Sequence, residues 1–387
     1  MKFKLRKIVA ITAAVLCTVS ASAEEFVVGG HMPLTGTLAR AGTATNEGVQ
    51  SAVDIFNRTN GKHTIKYVTI DDESAPAKAV AAVEKLASQN AVAIIGGYGS
   101  NIIGPASDAA NRLNLTYITS GGVSDALTQR GYKTFFRINN TAGYQRAVEK
   151  LVEEMHAKSV SILYSTKEAT AELAKGVEKA MSAKGVKVTM HAFDPAITDF
   201  KPIINKVKLQ DKSDVLLMSG YENDYVGIIR AAKVLKPPVK SVVGMWSLAV
   251  PKMANDFPDL MPNVIGTAML PYPVEYKAAE GKKFVDTYKR MFNKDVDYLS
   301  QFGYIQATLL FEAIARSADN GSLKKGGLSE ELRKTDRDTL IGHVTFDAHG
   351  DNPNFQQRMG QHESGKIVIV SPAVDASGKL KYPAVPW

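Results

Sequence analysis

The sequence predicts an α/β protein of two lobes, each built on a parallel central sheet flanked by helices, with chain crossings between them. Three observations carry this. Apolar runs of strand length alternate with amphipathic helical stretches from Glu24 to about residue 125, and again from roughly 143 to 270; that alternation builds a parallel sheet covered on both faces. The two sets also share a spacing. Gly97-Tyr98, five residues, Gly104, sixteen residues and Gly121 in the first match Gly220-Tyr221, five, Gly227, sixteen and Gly244 in the second. Each copy starts at the end of one apolar run (AIIG, LLMS) and finishes at the end of the next, which describes two equivalent βαβ units. Finally, helices return after residue 270, so the chain is expected to go back to the first lobe and cross once more. Crossings fall near 139–143, 268–274 and 342–348, giving lobes of 24–141 plus 273–344 and 142–272 plus 345–387.

The elements follow in order. EFVVGGHM is a strand, PLTGTLARAG a loop, and a helix runs from about Thr45 to Asn57. HTIKYVTID alternates as a strand after the Asn60-Gly61 turn. Pro76 stands near the start of a helix, AKAVAAVEKLAS, that keeps the 3.6-residue apolar period. AVAII then ends in Gly96-Gly97, a helix follows Ser100, and LTYIT ends in Ser120-Gly121-Gly122. Ser124 to Arg130 is expected as a short helix, and TFFRIN as a strand. The second set comprises a helix 142–155, SVSILYS, a helix closed by Gly185, VKVTMHAF, a helix from Asp199 to about Gln210, SDVLLMSG, YVGIIRAAKVL and VKSVVG. Beyond it come helices 277–292 and 299–318, a short helix LSEELRKT, a strand and turn in TLIGHVTFDAHGDNPN, and a last strand KIVIVSPA.

Residues 1–23 stand apart. Lys2, Lys4, Arg6 and Lys7 precede an apolar run, Ile8 to Val19, and Ala21-Ser22-Ala23 has the A-x-A form of a cleavage site. The run is shorter than the ~20 apolar residues a membrane span needs, so a secretory leader cleaved after Ala23 is expected. The only cysteine, Cys17, lies inside it, behind Leu16 where lipid attachment wants a small residue. An exported chain starting at Glu24 therefore has no disulfide and no thiolate metal site. Loss of the leader's four basic residues leaves 43 Lys and Arg against 39 Asp and Glu, a balance of +4 rather than +8. The remaining basic residues are scattered, without the clustering of a nucleic-acid footprint. With 45% hydrophobic and 22% charged residues, the composition is that of a soluble globular protein.

Ligands of open α/β sheets bind beyond the carboxyl ends of the strands, which directs attention to 96–101 and 120–124. Ser100 and Asn101 follow a strand and open a helix. They read either as an ordinary cap or as a hydroxyl and backbone N–H groups that hold a carboxylate. Gly97 and Gly99 allow a ligand close to the backbone. GGYGSN is not a dinucleotide fingerprint, because Ile102 stands where the third glycine belongs. Ser120-Gly121-Gly122 reads as a tight turn or as a second set of donors to the same anion. Tyr98, Tyr221 and Trp246 lie past strand ends and either pack locally or sandwich a ligand between the lobes. Arg40 is a solvated arginine or a partner for an anionic ligand. Asp71-Asp72-Glu73 and the seven histidines lack metal-ligand spacing, and no nucleophile-and-base motif occurs. Neither catalysis nor a cofactor is expected.

The segments PLTGTLARAG, YVTIDDESAPAKAVAAVEKL, IIGGYGSNIIGPASDAAN, ALTQRGYKTFFRI, DFKPIINKVK and FDAHGD resemble the leucine-type periplasmic binding proteins of branched-chain amino acid ABC transporters, over nearly the whole chain after the leader. The resemblance implies the type I fold, two Rossmann-like lobes joined by a three-crossing hinge, and a monomer that delivers a small molecule to a membrane permease. It places Ser100 and Gly121 at the ligand's carboxylate and matches Tyr221 to a second-lobe tyrosine. The sequence departs from the family pattern at three points: Val123 replaces a threonine, Ala41 an aromatic residue, and Trp246 the acidic partner of the ligand's ammonium. Without that countercharge a buried ammonium is costly. The expected ligand is thus uncharged or a carboxylate without an amino group, with an aromatic body stacked on Trp246 as one form of it; a branched-chain amino acid is the alternative. A secreted α/β enzyme lacks its catalytic residues here, and a ligand sensor would need fused signalling segments.

Overall fold

A parallel five-stranded sheet and a mixed seven-stranded sheet organise the chain in the computed structural model, which describes residues 23–323 and 326–387. The expected leader and Cys17 lie, apart from Ala23, outside the described residues. The first sheet takes β1 (Glu24–Met32), β2 (His63–Asp71), β3 (Ala93–Gly96), β4 (Thr116–Thr119) and β5 (Phe135–Arg137) in the order β2-β1-β3-β4-β5. Its helices are α1 (Ala39–Thr59), α2 (Pro76–Ser88) and α3 (Ser100–Arg112). Every residue of β3 and β4 is buried, as expected of strands covered on both faces.

The chain then passes to the second sheet through α4 (Thr141–Glu154). β6 (Ser159–Ser165), α5 (Glu168–Ala183), β7 (Lys187–Phe193), α6 (Lys201–Lys206), β8 (Val215–Ser219), α7 (Glu222–Leu235), β9 (Ser241–Gly244), α8 (Pro251–Asp256) and β10 (Ile265–Ala268) follow. After β10 the chain returns through α9 (Ala279–Phe292) and α10 (Tyr298–Asp319), which pack on α1. α11 (Leu328–Arg333) and a separate hairpin of β11 (Asp336–Thr339) and β12 (Gly342–Thr345) come next. A third passage leads to β13 (Arg358–Glu363) and β14 (Lys366–Ser371), which complete the order β14-β13-β10-β9-β8-β6-β7.

Three details differ from the sequence expectation. Helix α1 starts at Ala39, so Arg40 and Ala41 stand on its first turn and not in a loop. Ser124 to Arg130 forms only a single 3-10 turn at Asp125–Leu127. The last strand is half of a hairpin, and β13 runs antiparallel to β10. Ser364 and Gly365, with φ of 49° and 80°, supply the two-residue turn. The strand RMGQHE has few β-branched or aromatic residues, which hid it from a pattern reading, yet four of its six residues are buried.

The closest approach of two helices bears on the site. A Cβ on Gly48 of α1 would lie 1.9 Å from the Ser300 carbonyl oxygen, and one on Gly303 of α10 would lie 2.0 Å from that of Thr45. The two backbones therefore touch at a reciprocal pair of glycines. That crossing carries the first turns of α10 to the end of the first sheet where β3 and β4 finish.

Candidate functional site

Where the carboxyl ends of the two sheets face each other, fourteen residues enclose a narrow slot. It has about 400 Å³ of empty volume, counting its open mouth. From the first sheet and its helices come Thr45, Tyr98, Ser100, Ser120, Gly121, Val123 and Asn139; from the second, Tyr144, Ala169, Tyr221 and Trp246; from α10, Tyr298, Leu299 and Phe302. None of the fourteen carries a formal charge.

The polar end of the slot is built by the turns after β3 and β4. Gly99, with φ of 94°, caps α3, and its N–H donates to the Gly121 carbonyl at 2.9 Å. A Cβ on Gly121 would sit 2.1 Å from the Gly97 carbonyl oxygen, so the two turns fit only because that side chain is absent. Ser100 is not the cap that the sequence allowed. Its Oγ accepts from the N–H groups of Val123 and Ser124, both at 3.1 Å. With both lone pairs engaged, the hydroxyl proton remains to be donated. Among the described residues the N–H groups of Ser100 and Asn101 find no acceptor, as in the first turn of any helix. Gly121 contributes backbone contact alone, since its N–H is taken by Thr119 Oγ1 at 3.0 Å.

Arg137, at the end of β5, holds this turn from behind and is fully buried. Its Nε and one terminal nitrogen meet Asp351 at 2.9 and 2.8 Å, that same nitrogen reaches Asp125 at 3.0 Å, and the other donates to the Val123 and Ser124 carbonyls at 2.7 Å. All five donors of the guanidinium are used. Burial opposes the charge, but Asp351 and Asp125 outweigh it and raise the pKa above that of a free arginine.

The other end is aromatic. Trp246 stacks on Tyr221 with ring centroids 6.3 Å apart, and Tyr144 meets Trp246 edge-on at 5.5 Å. Burial raises the pKa of Tyr98, Tyr144, Tyr221 and Tyr298, the last to about 12, so these hydroxyls stay neutral. The lobes also bond directly. Tyr98 Oη lies 3.3 Å from Ser247 Oγ, and the Ser247 N–H donates to the Tyr298 hydroxyl. Ser124 Oγ lies 2.7 Å from carboxylate oxygens of both Glu168 and Glu172 on α5.

Of the eight residues singled out from the sequence, Tyr98, Ser100, Gly121, Tyr221 and Trp246 line the slot, while Gly99 and Gly122 support it without lining it. Arg40, expected as a partner for an anion, points elsewhere. Its guanidinium is paired with Glu222 and Asp256 of the second lobe, at the rim of a separate, open cleft. The sequence reading missed Thr45, Asn139, Tyr144, Ala169, Tyr298, Leu299 and Phe302. Asn139 alone carried a usable signal, its place at the end of the strand TFFRIN; the three residues of α10 arrive through a helix crossing with no local mark. Among the described residues no cluster of metal-ligating side chains occurs, and no helix is long and apolar enough to cross a membrane.

Comparison with known proteins places this geometry. Residues 25–366 match the periplasmic binding protein family. A leucine-, isoleucine-, valine-, threonine- and alanine-binding protein of Pseudomonas aeruginosa is 24% identical over 357 residues, covering 90% of this chain and 93% of the relative. Among solved structures, the branched-chain amino acid transporter substrate-binding protein LivJ from Streptococcus pneumoniae, in complex with isoleucine, superposes with a TM-score of 0.78 at 24% identity, over 90% of this chain and all of that one. A solute-binding protein of an ABC transporter from R. palustris, in complex with benzoate, gives 0.77 at 19% identity, over 94% and 97% of the two chains. The chain belongs to the periplasmic binding protein family, as a substrate-binding protein of the branched-chain amino acid ABC transporter type and not an enzyme.

Proposed function

We propose that this protein, exported to the periplasm with its leader removed after Ala23, works as a monomer that closes its lobes on a small aromatic carboxylate and delivers it to a membrane permease. The lobes are 24–141 plus 273–344 and 142–272 plus 345–387, and the three passages between them form the hinge. The observation that carries the reading is the make-up of the slot: hydroxyl and helix N-terminal donors at one end, stacked aromatic rings at the other, and no charged side chain between. The Ser100 hydroxyl and the first N–H groups of α3 suit a carboxylate. Tyr221, Trp246 and Phe302 suit a flat apolar body. An α-ammonium would be buried with no carboxylate among the lining residues to balance it, which is costly. The R. palustris protein of this fold, solved in complex with benzoate, supports the reading. The names of the amino-acid-binding relatives favour the alternative, a branched-chain amino acid.

Isothermal titration of the purified protein separates the two. Benzoate-type acids, short aliphatic acids and the amino acids leucine, isoleucine and valine are the panel. Tightest binding by aromatic acids is expected. Tighter binding of leucine than of benzoate overturns the ligand class, and turnover of any ligand overturns the binding-protein role.

A further inference from the structure

Asn139 and Trp246 line the slot, and each buries a polar atom with no partner among the described residues. Asn139 is 1% exposed, and its Nδ2 donates to the Ser120 carbonyl and to the Tyr144 hydroxyl oxygen, both at 2.9 Å. A carbonyl oxygen only accepts, so the Ser120 bond fixes which way the amide faces. Asn139 Oδ1 is therefore the atom left without a donor. Trp246 is 5% exposed, and its Nε1–H faces the Tyr144 hydroxyl without reaching hydrogen-bond geometry, so among the described residues it has no full acceptor. The two are linked through Tyr144, bonded to Asn139 and edge-on to the indole. One corner of the slot thus offers an acceptor and a donor that nothing among the described residues satisfies in full, and native proteins seldom leave such groups unmatched.

Resting on the carboxylate reading above, we infer that the ligand bears a hydroxyl group on its ring, held between Asn139 Oδ1 and Trp246 Nε1–H. A hydroxyl donates to the amide oxygen and accepts from the indole. A ketone or second carboxylate only accepts and leaves Asn139 unmatched. An ammonium only donates and faces the indole N–H with another N–H. Asn139 and Trp246 are specificity-determining residues for a hydroxylated aromatic acid, with Ser100 serving the carboxylate.

Titration calorimetry of the purified protein with benzoate and its three monohydroxy isomers tests this, alongside Trp246→Phe, which keeps an aromatic ring and removes the N–H. At least one hydroxylated isomer is expected to bind about tenfold more tightly than benzoate, the scale of one or two hydrogen bonds. Trp246→Phe is expected to weaken both, but the favoured hydroxylated isomer about fivefold more than benzoate, because only that isomer loses a hydrogen bond as well as ring contact. Equal or tighter binding of benzoate than of all three isomers overturns the inference and leaves the carboxylate reading intact, as does an equal loss of both ligands in the variant. Failure of all four acids to bind overturns both. The comparison of isomers on the unsubstituted protein stands even where the variant misfolds.

Discussion

His362 gives the sharpest test of how the second lobe holds its part of the slot. It lies on β13, is 3% exposed, and places Nε2 2.8 Å from the carbonyl oxygen of Leu248, two residues after Trp246. A carbonyl cannot donate, so Nε2 carries the ring proton and Nδ1 is left bare, with no partner among the described residues. A second proton would create a buried cation with one N–H unmatched. Burial accordingly lowers the pKa from 6.5 to about 4, against a smaller upward pull from the Leu248 carbonyl.

In the unfolded chain this histidine takes its proton near pH 6.5, and in the folded chain only near 4, so between those values the unfolded state binds more protons. Stability is intact above pH 6.5, falls as the pH drops below it, and the loss is complete below about 4. The loss amounts to about 2 kcal/mol at pH 5 and about 3 kcal/mol at pH 4. His362→Gln keeps an N–H for the Leu248 carbonyl and does not titrate. Equilibrium urea unfolding of both proteins at pH 7.5 and 5.0 cancels every group they share. The stability of the variant relative to the unsubstituted protein is expected to rise by about 2 kcal/mol between the two pH values. An unchanged difference, or one of opposite sign, refutes the buried neutral imidazole.

Three further substitutions probe the frame of the site. Arg40→Ala removes the interlobe pairs with Glu222 and Asp256, which are partly exposed, so about 1 kcal/mol of closure is at stake; ligand release measured by stopped flow should quicken about fivefold for every ligand, and less so in ~1 M salt. A loss confined to anionic ligands would instead put Arg40 in contact with the ligand. Arg137→Met leaves Asp351 and Asp125 without their cation; because both keep some solvent, a loss of about 3 kcal/mol is expected in chemical denaturation, at the low end for a broken buried pair, and a loss under ~1 kcal/mol counts against the network. Gly121→Ala pushes a methyl group against the Gly97 carbonyl, so ligand binding should weaken at least tenfold in calorimetry, with about 1–3 kcal/mol of stability lost to the strain; unaltered binding would mean that the two turns are not a rigid unit.

What could be read from the sequence was whatever a strand end announces. Fully buried strands such as AIIG and LLMS stop abruptly at glycine, and ligand contacts lie just beyond such stops. Tyr98, Ser100, Gly121, Tyr221 and Trp246 all follow such stops and line the slot. Residues brought in by tertiary packing gave no such sign. Tyr298, Leu299 and Phe302 reach the slot because Gly48 and Gly303 let two helices touch, and two glycines 255 positions apart in sequence look like any others. Arg137 sits in TFFRIN with the look of a half-exposed strand residue. Its burial depends on Asp351, which the chain supplies only on its third passage between the sheets. Arg40 was misplaced for a local reason. Helix α1 begins at Ala39 without a side-chain cap, so the usual start signal is missing and the sequence reads as a longer loop than the structure has.

The repeat behind the fold explains how one scaffold separates two chemistries. Both βαβ units deliver a Gly-Tyr step and, a helix later, a second turn to the same slot: Tyr98 and Gly121 in the first, Tyr221 and Trp246 in the second. The backbone frame is shared, and the side chains two residues beyond the matched glycines differ. Val123 follows Gly121, Trp246 follows Gly244, and both line the slot. In the first lobe the small residue leaves the turn's N–H groups free to meet Ser100 Oγ, which orients that hydroxyl proton toward a guest. In the second, the indole fills the place with a flat apolar surface and a single N–H donor. Closure therefore brings a turn with a free hydroxyl proton against an aromatic plate, the pairing on which the proposed aromatic carboxylate rests. Because the frame is held by glycine contacts and by Arg137, away from position 246, a substitution there can alter which ligand is chosen without altering how the lobes meet.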